Sequence, residues 1–249
     1  MTNLPHKSRG LYERLFKRFF DVLLATCAAI LLSPVLILVS LLVRMKLGSP
    51  VFFHQERPGR NGEIFHLLKF RTMLDPQTRD GRKLTDNERL AAIESGKELD
   101  ILTDEERLTK FGRLLRATSL DELPELFNII LGDMSFVGPR PLAKIYLPYY
   151  TETEMRRHEV RPGLTGLAQV QGRNSAPWAQ RFRDDVYYVD HVTFLNDLKI
   201  ILKTFVVVFK RENVGQGEAR PEAFNVERQR ELDARRAAEE DVASGGAAE

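Results

Sequence analysis

Two adjacent acids, Asp121 and Glu122, stand at the head of an otherwise apolar stretch that runs to Leu131, with Arg116 just upstream. Acids at a helix start interact favourably with its dipole by about 0.3 to 1 kcal/mol, so capping alone accounts for the pair. The loop Gly138-Pro139-Arg140-Pro141 suggests a second use, because two prolines stiffen the backbone around one arginine and a fixed guanidinium suits phosphate. A surface arginine in a Pro-rich turn is the plainer reading of that loop. Lys69 and Arg71 after an extended stretch, Arg161 before Pro162-Gly163 and Arg173 after Gly172 add further cations, each by itself a solvated charge. Together with two or three acids they describe a site for Mg²⁺ and a diphosphate, since Mg²⁺ keeps few protein carboxylates and takes phosphate oxygens as its other ligands. A hydrolase or a transferase could use such a site. The chain has no Gly-x-Gly-x-x-Gly after a strand, no Walker loop and no His-Glu-x-x-His. His54, His66, His158 and His191 lack ligand spacing, and Trp178, Tyr187 and Tyr188 read as packing residues.

The elements that must position these residues follow from periodicity and turn chemistry. Val51 to His54 and Ile64 to Phe70, separated by a turn rich in Gly and Pro, predict a hairpin leading into Lys69-Phe70-Arg71-Thr72-Met73. Residues 75 to 108 read as a peripheral insertion with helical patches at Asn87 to Glu94 and Asp104 to Arg107. Leu108 to Arg116 predicts a basic amphipathic helix. A second helix runs to about Leu131, with Ser119 and Glu122 spaced as a capping box and Pro124 blurring the first turn. Tyr146 to Glu159 predicts a helix, Arg161 to Gly172 an extended segment, and Asp184 to Tyr188 and Asp197 to Phe209 two more helices. The last of these could lie on a membrane surface.

Val22 to Val43 contains no charge and is long enough to span a bilayer. Its basic flanks, however, both favour the cytoplasm under the positive-inside rule. Lys7, Arg9, Arg14, Lys17 and Arg18 precede it, against Glu13 and Asp21, and Arg44 and Lys46 follow. Pro34 near its middle removes a helix hydrogen bond, and Ser33 is placed to cover a freed carbonyl. Two halves of about ten residues reach roughly 15 Å each, one leaflet, which favours a re-entrant hairpin over a plain anchor.

The 249 residues, 43% apolar, support one ordinary core plus appendages. We therefore expect an α+β, mainly helical chain: a membrane anchor over 1–49 with a re-entrant helix at about 20–43, a small catalytic domain with a short β-hairpin and interfacial amphipathic helices over 50–210, and a polar tail over 211–249. From Arg211 onward, six arginines against ten acids suit a solvated tail, disordered from Ala243, and argue against nucleic-acid binding. The single cysteine, Cys27, excludes an internal disulfide and fits a reducing compartment.

Six ordered motifs go further: Lys69-Phe70-Arg71-Thr72-Met73, Leu115-Arg116-x-x-Ser119-x-Asp121-Glu122-Leu123-Pro124, Gly132-Asp133-Met134-Ser135-x-Val137-Gly138-Pro139-Arg140-Pro141, Arg161-Pro162-Gly163-Leu164-Thr165-Gly166, Gly172-Arg173-Asn174 and Asp197-Leu198-Lys199-Ile200. Over roughly Arg18 to Phe209 the chain resembles the bacterial sugar transferases, monotopic phosphoglycosyl transferases that initiate glycoconjugate assembly. One departure is Glu125, where relatives often carry Gln. The resemblance implies a re-entrant helix kinked at Ser33-Pro34 and a catalytic domain on the cytoplasmic face of the bacterial inner membrane. It implies Asp121 as nucleophile toward the sugar-linked phosphate of a UDP-sugar, release of UMP, and passage of the phosphosugar to polyprenol phosphate, with Glu122 holding Mg²⁺ beside Asp121. Arg140 and Arg173 then meet the donor's phosphate or uridine, and Asp197 joins the acids. Lys69, Arg71, Arg116, Pro139, Pro141 and Arg161 complete the substrate site. Partners implied are membrane lipids and downstream glycosyltransferases. The stretch Gly217-x-x-Arg220-Pro221-x-x-Phe224 looks like small enzymes acting on N-acetylated sugars such as di-N-acetylbacillosamine. A non-catalytic scaffold for glycan assembly and a UDP-releasing glycosyltransferase are the competing readings.

Overall fold

A computed structural model describes residues 10–78, 80–84, 102–172, 176–209 and 223–245. In chain order, a π-helical turn Tyr12–Phe16 leads into helices α1 (Lys17–Leu31) and α2 (Ser33–Leu47), then strands β1 (Phe52–Pro58) and β2 (Ile64–Phe70). Short helices α3 (Asp104–Arg107), α4 (Lys110–Ala117) and α5 (Glu125–Leu131) follow, with a 3-10 turn at Leu120–Glu122 between the last two. Next come β3 (Ser135–Val137), α6 (Glu152–Met155), β4 (Gly163–Thr165), α7 (Leu167–Gln171), α8 (Trp178–Asp190), α9 (Phe194–Phe209) and α10 (Phe224–Gly245). The described residues form a mainly helical α+β protein with two two-stranded sheets, β1–β2 and β3–β4. It divides into two compact units, one of residues 1–25, 56–66 and 129–249, the other of residues 26–55 and 67–128.

In the second unit the break between α1 and α2 bends the chain axis by 64°. Pro34 has no N–H to donate to the carbonyl four residues back, which belongs to Ile30. Ser33 Oγ donates to that Ile30 oxygen at 2.8 Å, as its position beside the proline predicts. No single described helix is long and apolar enough to cross a membrane; the bent pair passes that test together. Val39, Val43 and Leu47 of α2 pack with Phe70 and Leu115, and Phe111, Leu120 and Leu123 close the cluster. Ile30, Leu31, Ile37, Leu38 and Leu41 remain exposed around the bend.

In the first unit β3 and β4 run parallel, Ser135 opposite Gly163 and Val137 opposite Thr165. A Cβ on Gly138 would lie 2.4 Å from the Arg161 carbonyl, so the backbones meet where only glycine fits. Among the described residues the other edge of β3 has no partner strand. There the Phe136 N–H donates to Asp21 Oδ1 at 3.1 Å, and the Tyr188 hydroxyl lies 2.9 Å from the Val137 carbonyl. Lys17 and Arg18, counted above as a basic flank, are engaged within this unit. Lys17 Nζ donates to Asp197 Oδ2 at 2.6 Å, and Arg18 donates to the Ile130 carbonyl at 2.9 Å at the end of α5.

Several local expectations change. Tyr146 to Glu159 is not one helix: a 3-10 stretch Lys144–Tyr149 contains Pro148, and a Thr151–Glu154 capping box then starts α6 afresh. The expected extended segment from Arg161 narrows to β4, because Leu167–Gln171 coils into α7 after Gly166. From Phe224 to Gly245 the chain is a helix whose first residue is buried: Phe224 packs with Trp178 and Phe182, because an aromatic gains more from that cluster than from water. The expected helical patch at 87–94 lies outside the described residues, as do residues 246–249.

Candidate active site

Within the second unit the first motif and the acid pair meet. Phe70 faces the core, which turns Lys69 the other way. Lys69 Nζ lies 2.7 Å from Glu122 Oε1 and 3.1 Å from Glu125 Oε1. The acids are delivered by a tight reversal after α4. Ser119 adopts φ +56°, its N–H donates to the Arg116 carbonyl, and the 3-10 turn places Leu120 toward the core. The capping box expected here does not form, since a left-handed Ser119 makes no side-chain cap bond and α5 starts only after Pro124. Asp121 and Glu122 thus sit on a turn before the helix instead of in its first turn.

Asp121 is 9% exposed, and this burial, reinforced by Glu122, pushes its carboxyl up to about 6 against the pull of Lys69 and Arg116. Arg116 Nε donates to Thr72 Oγ1 at 3.0 Å, tying the Arg-Thr half of the first motif to α4. That contact depends on Gly112, where a Cβ would fall 1.8 Å from the Thr72 carbonyl oxygen. Arg71 is differently engaged. Buried, it donates to Asp75 Oδ1 at 2.6 Å, to the Ser49 carbonyl at 3.1 Å and to the Leu47 carbonyl, so it closes the C-terminal end of α2.

The remaining predicted residues belong to the first unit. Arg140, flanked by buried Pro139 and Pro141, is exposed, and its carbonyl accepts from Arg157 at 2.7 Å. Arg157 is itself buried in an ion pair with Asp185 at 2.8 Å, a brace that sequence reasoning missed because neither residue belongs to a recognisable motif. Arg161 Nε donates to the Gly132 carbonyl at 2.7 Å. Asp197 is fully engaged locally: Oδ2 accepts from Lys17 and Tyr12, and Oδ1 accepts from Tyr188 at 2.8 Å. Arg173 lies outside the described residues. His158 is structural in character, its Nδ1 3.1 Å from the Gly59 carbonyl, with burial and then Arg157 pushing its pKa down to about 3.

The arrangement offers a desolvated carboxylate flanked by a second carboxylate and two cations, which suits nucleophilic attack on an anionic phosphorus centre. Comparison with known proteins identifies the family. Residues 12–211 match the family described as bacterial sugar transferase. The uncharacterized sugar transferase EpsL of Bacillus subtilis is 46% identical over 202 residues, 81% of this chain and 91% of that protein. The exopolysaccharide production protein ExoY of Sinorhizobium fredii is 43% identical, covering 77% of this chain and 84% of its own length. The undecaprenyl-phosphate galactose phosphotransferase of Salmonella typhimurium is 39% identical over 85% of this chain but only 43% of its own length. On the extent of these matches, the chain is a transferase that belongs to the bacterial sugar transferase family.

Proposed function

We propose that the protein transfers a sugar-1-phosphate from a UDP-sugar to polyprenol phosphate in two displacements at Asp121. The carboxylate oxygen attacks the sugar-linked phosphorus, the bond to the bridging oxygen breaks, and UMP leaves. A phosphate oxygen of polyprenol phosphate then attacks the same phosphorus, yielding the polyprenol diphosphate sugar and restoring the carboxylate. The observation that carries this reading is the burial of Asp121 beside Lys69 and Arg116, with its pKa raised to about 6. Such a group is still ionised near pH 7, yet it is more basic and less hydrated than a surface aspartate.

The residues present suit Mg²⁺. Among the described residues no group of three or more His, Cys, Asp or Glu could hold an ion unaided. Mg²⁺ characteristically uses one or two carboxylates and completes its shell with substrate phosphate, and Glu122 with Asp121 would supply those two. Bound there, it would neutralise diphosphate charge as the new bond forms. Lys69 and Arg116 are assigned to phosphate in the second unit, and Arg140, Arg161 and Arg173 to the donor.

We place the catalytic part on the cytoplasmic face of a bacterial inner membrane, with α1 and α2 entering one leaflet and returning. The apolar residues around the 64° bend support this, since no described residue covers them. The Salmonella relative's name speaks for undecaprenyl phosphate as the acceptor and galactose as the sugar, and the Sinorhizobium relative's for exopolysaccharide assembly.

The test is nucleotide release by detergent-solubilised protein with Mg²⁺, polyprenol phosphate and UDP-galactose, UDP-glucose or N-acetylated UDP-sugars. UMP release that requires both the metal and Asp121 is the expected result. UDP release would identify sugar transfer without phosphate. No release from any donor by folded protein would point to a scaffold or an untested sugar, and UMP release that survives Asp121→Asn would remove Asp121 as the nucleophile.

A further inference from the structure

We propose that Thr72 is a positioning residue that aims the guanidinium of Arg116 at a phosphate held beside Asp121. Arg116 leaves the last turn of α4 as an exposed side chain, and its charge acts on the Asp121 carboxyl. A long exposed arginine samples many rotamers, and fixing one of them on meeting a ligand costs free energy. Here a hydroxyl fixes it in advance. Arg116 Nε donates to Thr72 Oγ1 at 3.0 Å, and Thr72 is 6% exposed. A guanidinium is planar with five N–H donors, so a bond at Nε sets the turn of the plane and leaves the two terminal nitrogens as one end-on edge. That edge matches two oxygens of a phosphate.

The hydroxyl can orient its partner only if it is itself held still, and the backbone around it is tied on both sides. The Arg71 N–H donates to the Val51 carbonyl at 3.0 Å, Met73 bridges to Leu108, and the Leu74 N–H donates to the Arg107 carbonyl at 3.0 Å. The Arg107 guanidinium returns to the Leu74 carbonyl at 2.9 and 3.0 Å. Gly112 packs against the Thr72 carbonyl with no room for a Cβ, so the helix that carries Arg116 is seated on the segment that carries Thr72. Branching at Cβ restricts the threonine rotamer further. The inference rests on the phosphosugar transfer proposed above, which brings a phosphate to Asp121.

The test measures UMP release by the full-length protein carrying Thr72→Val or Thr72→Ser, each alone and with Arg116→Lys. Valine keeps the shape of threonine without the hydroxyl, and serine keeps the hydroxyl. Lysine retains the charge but has no planar fork to orient. Thr72→Val should lower kcat/KM about 10-fold, the size of one hydrogen bond to a charged group, and Thr72→Ser less than about 3-fold. In the Arg116→Lys background Thr72→Val should cost less than about 2-fold, because the group that it positions is gone. Determining kcat/KM separately for the UDP-sugar and for polyprenol phosphate tells which phosphate the edge meets: a loss confined to the first assigns the donor's diphosphate, and one confined to the second the acceptor's phosphate.

A folding defect acts on both backgrounds alike, so the coupling between the two positions decides even where thermal melting shows Thr72→Val to be destabilised. Equal losses in both backgrounds would overturn the proposal, as would a Thr72→Ser variant as impaired as Thr72→Val. A wild type that releases no UMP from any donor overturns the transfer reading and this inference with it. A wild type that releases UMP and is matched by Thr72→Val overturns this inference alone.

Discussion

Asp121→Asn should abolish transfer and, at neutral pH, stabilise the fold. Burial and Glu122 raise the carboxyl from its ordinary 3.8 to about 6, so the folded state disfavours ionisation relative to the unfolded chain. For an acid shifted upward, the associated stability is fully present below the unfolded pKa and is lost as pH rises through the folded one. The window is therefore about pH 4 to 6. Two units at 1.36 kcal/mol each give a penalty of about 3 kcal/mol at pH 7.5, falling to about 1 kcal/mol at pH 4.5. Asparagine matches the shape of the protonated acid and carries no such penalty. Denaturation of metal-free wild type and variant in detergent, at both pH values, should show the variant more stable by about 3 kcal/mol at the higher pH and by a much smaller margin at the lower. A gap that is absent at pH 7.5, or of equal size at both pH values, would refute the assignment of a strained, desolvated nucleophile.

Three further outcomes can be checked. The kcat/KM for UMP release should fall on the acid side through an apparent pKa near 6, because protonation removes the attacking carboxylate, and a pH profile of the wild type reads this directly. Gly112→Ala should destabilise by about 3 kcal/mol in a melting assay, since its Cβ would meet the Thr72 carbonyl at 1.8 Å and backbone cannot give way cheaply. Asp197→Ala leaves Lys17 buried without its carboxylate and should cost about 3 to 5 kcal/mol by denaturation, while Lys17→Met combined with Asp197→Leu should recover most of it.

Part of the backbone around the candidate site was legible because it sits in punctuation. Glycines and prolines at 124, 138, 139, 141 and 163 mark places where the backbone turns or touches itself, and the β3–β4 contact at Gly138 bears out that kind of reading. Ser33-Pro34 was readable for the same reason. The helix start near Asp121 was misread because Ser119 and Glu122 have capping-box spacing, while the tight reversal after Arg116 forces Ser119 into the left-handed region. The Arg157–Asp185 pair and the engagement of Arg71 by the end of α2 were not legible. A charged residue in a sequence looks the same whether it faces water, a phosphate or a distant part of its own chain. Phe224 was hidden likewise, one aromatic residue in a charged stretch.

Lys17 shows what that ambiguity means in time. Its partner Asp197 lies 180 residues downstream, so while the apolar segment leaves the ribosome that carboxylate has not yet been made. The nascent chain presents it as a positive charge beside the hydrophobic stretch. The finished protein withdraws the same charge into its interior. On the membrane placement proposed above, one residue serves first as flanking charge and later as a rivet, and tallies of flanking charge describe only the first of these lives.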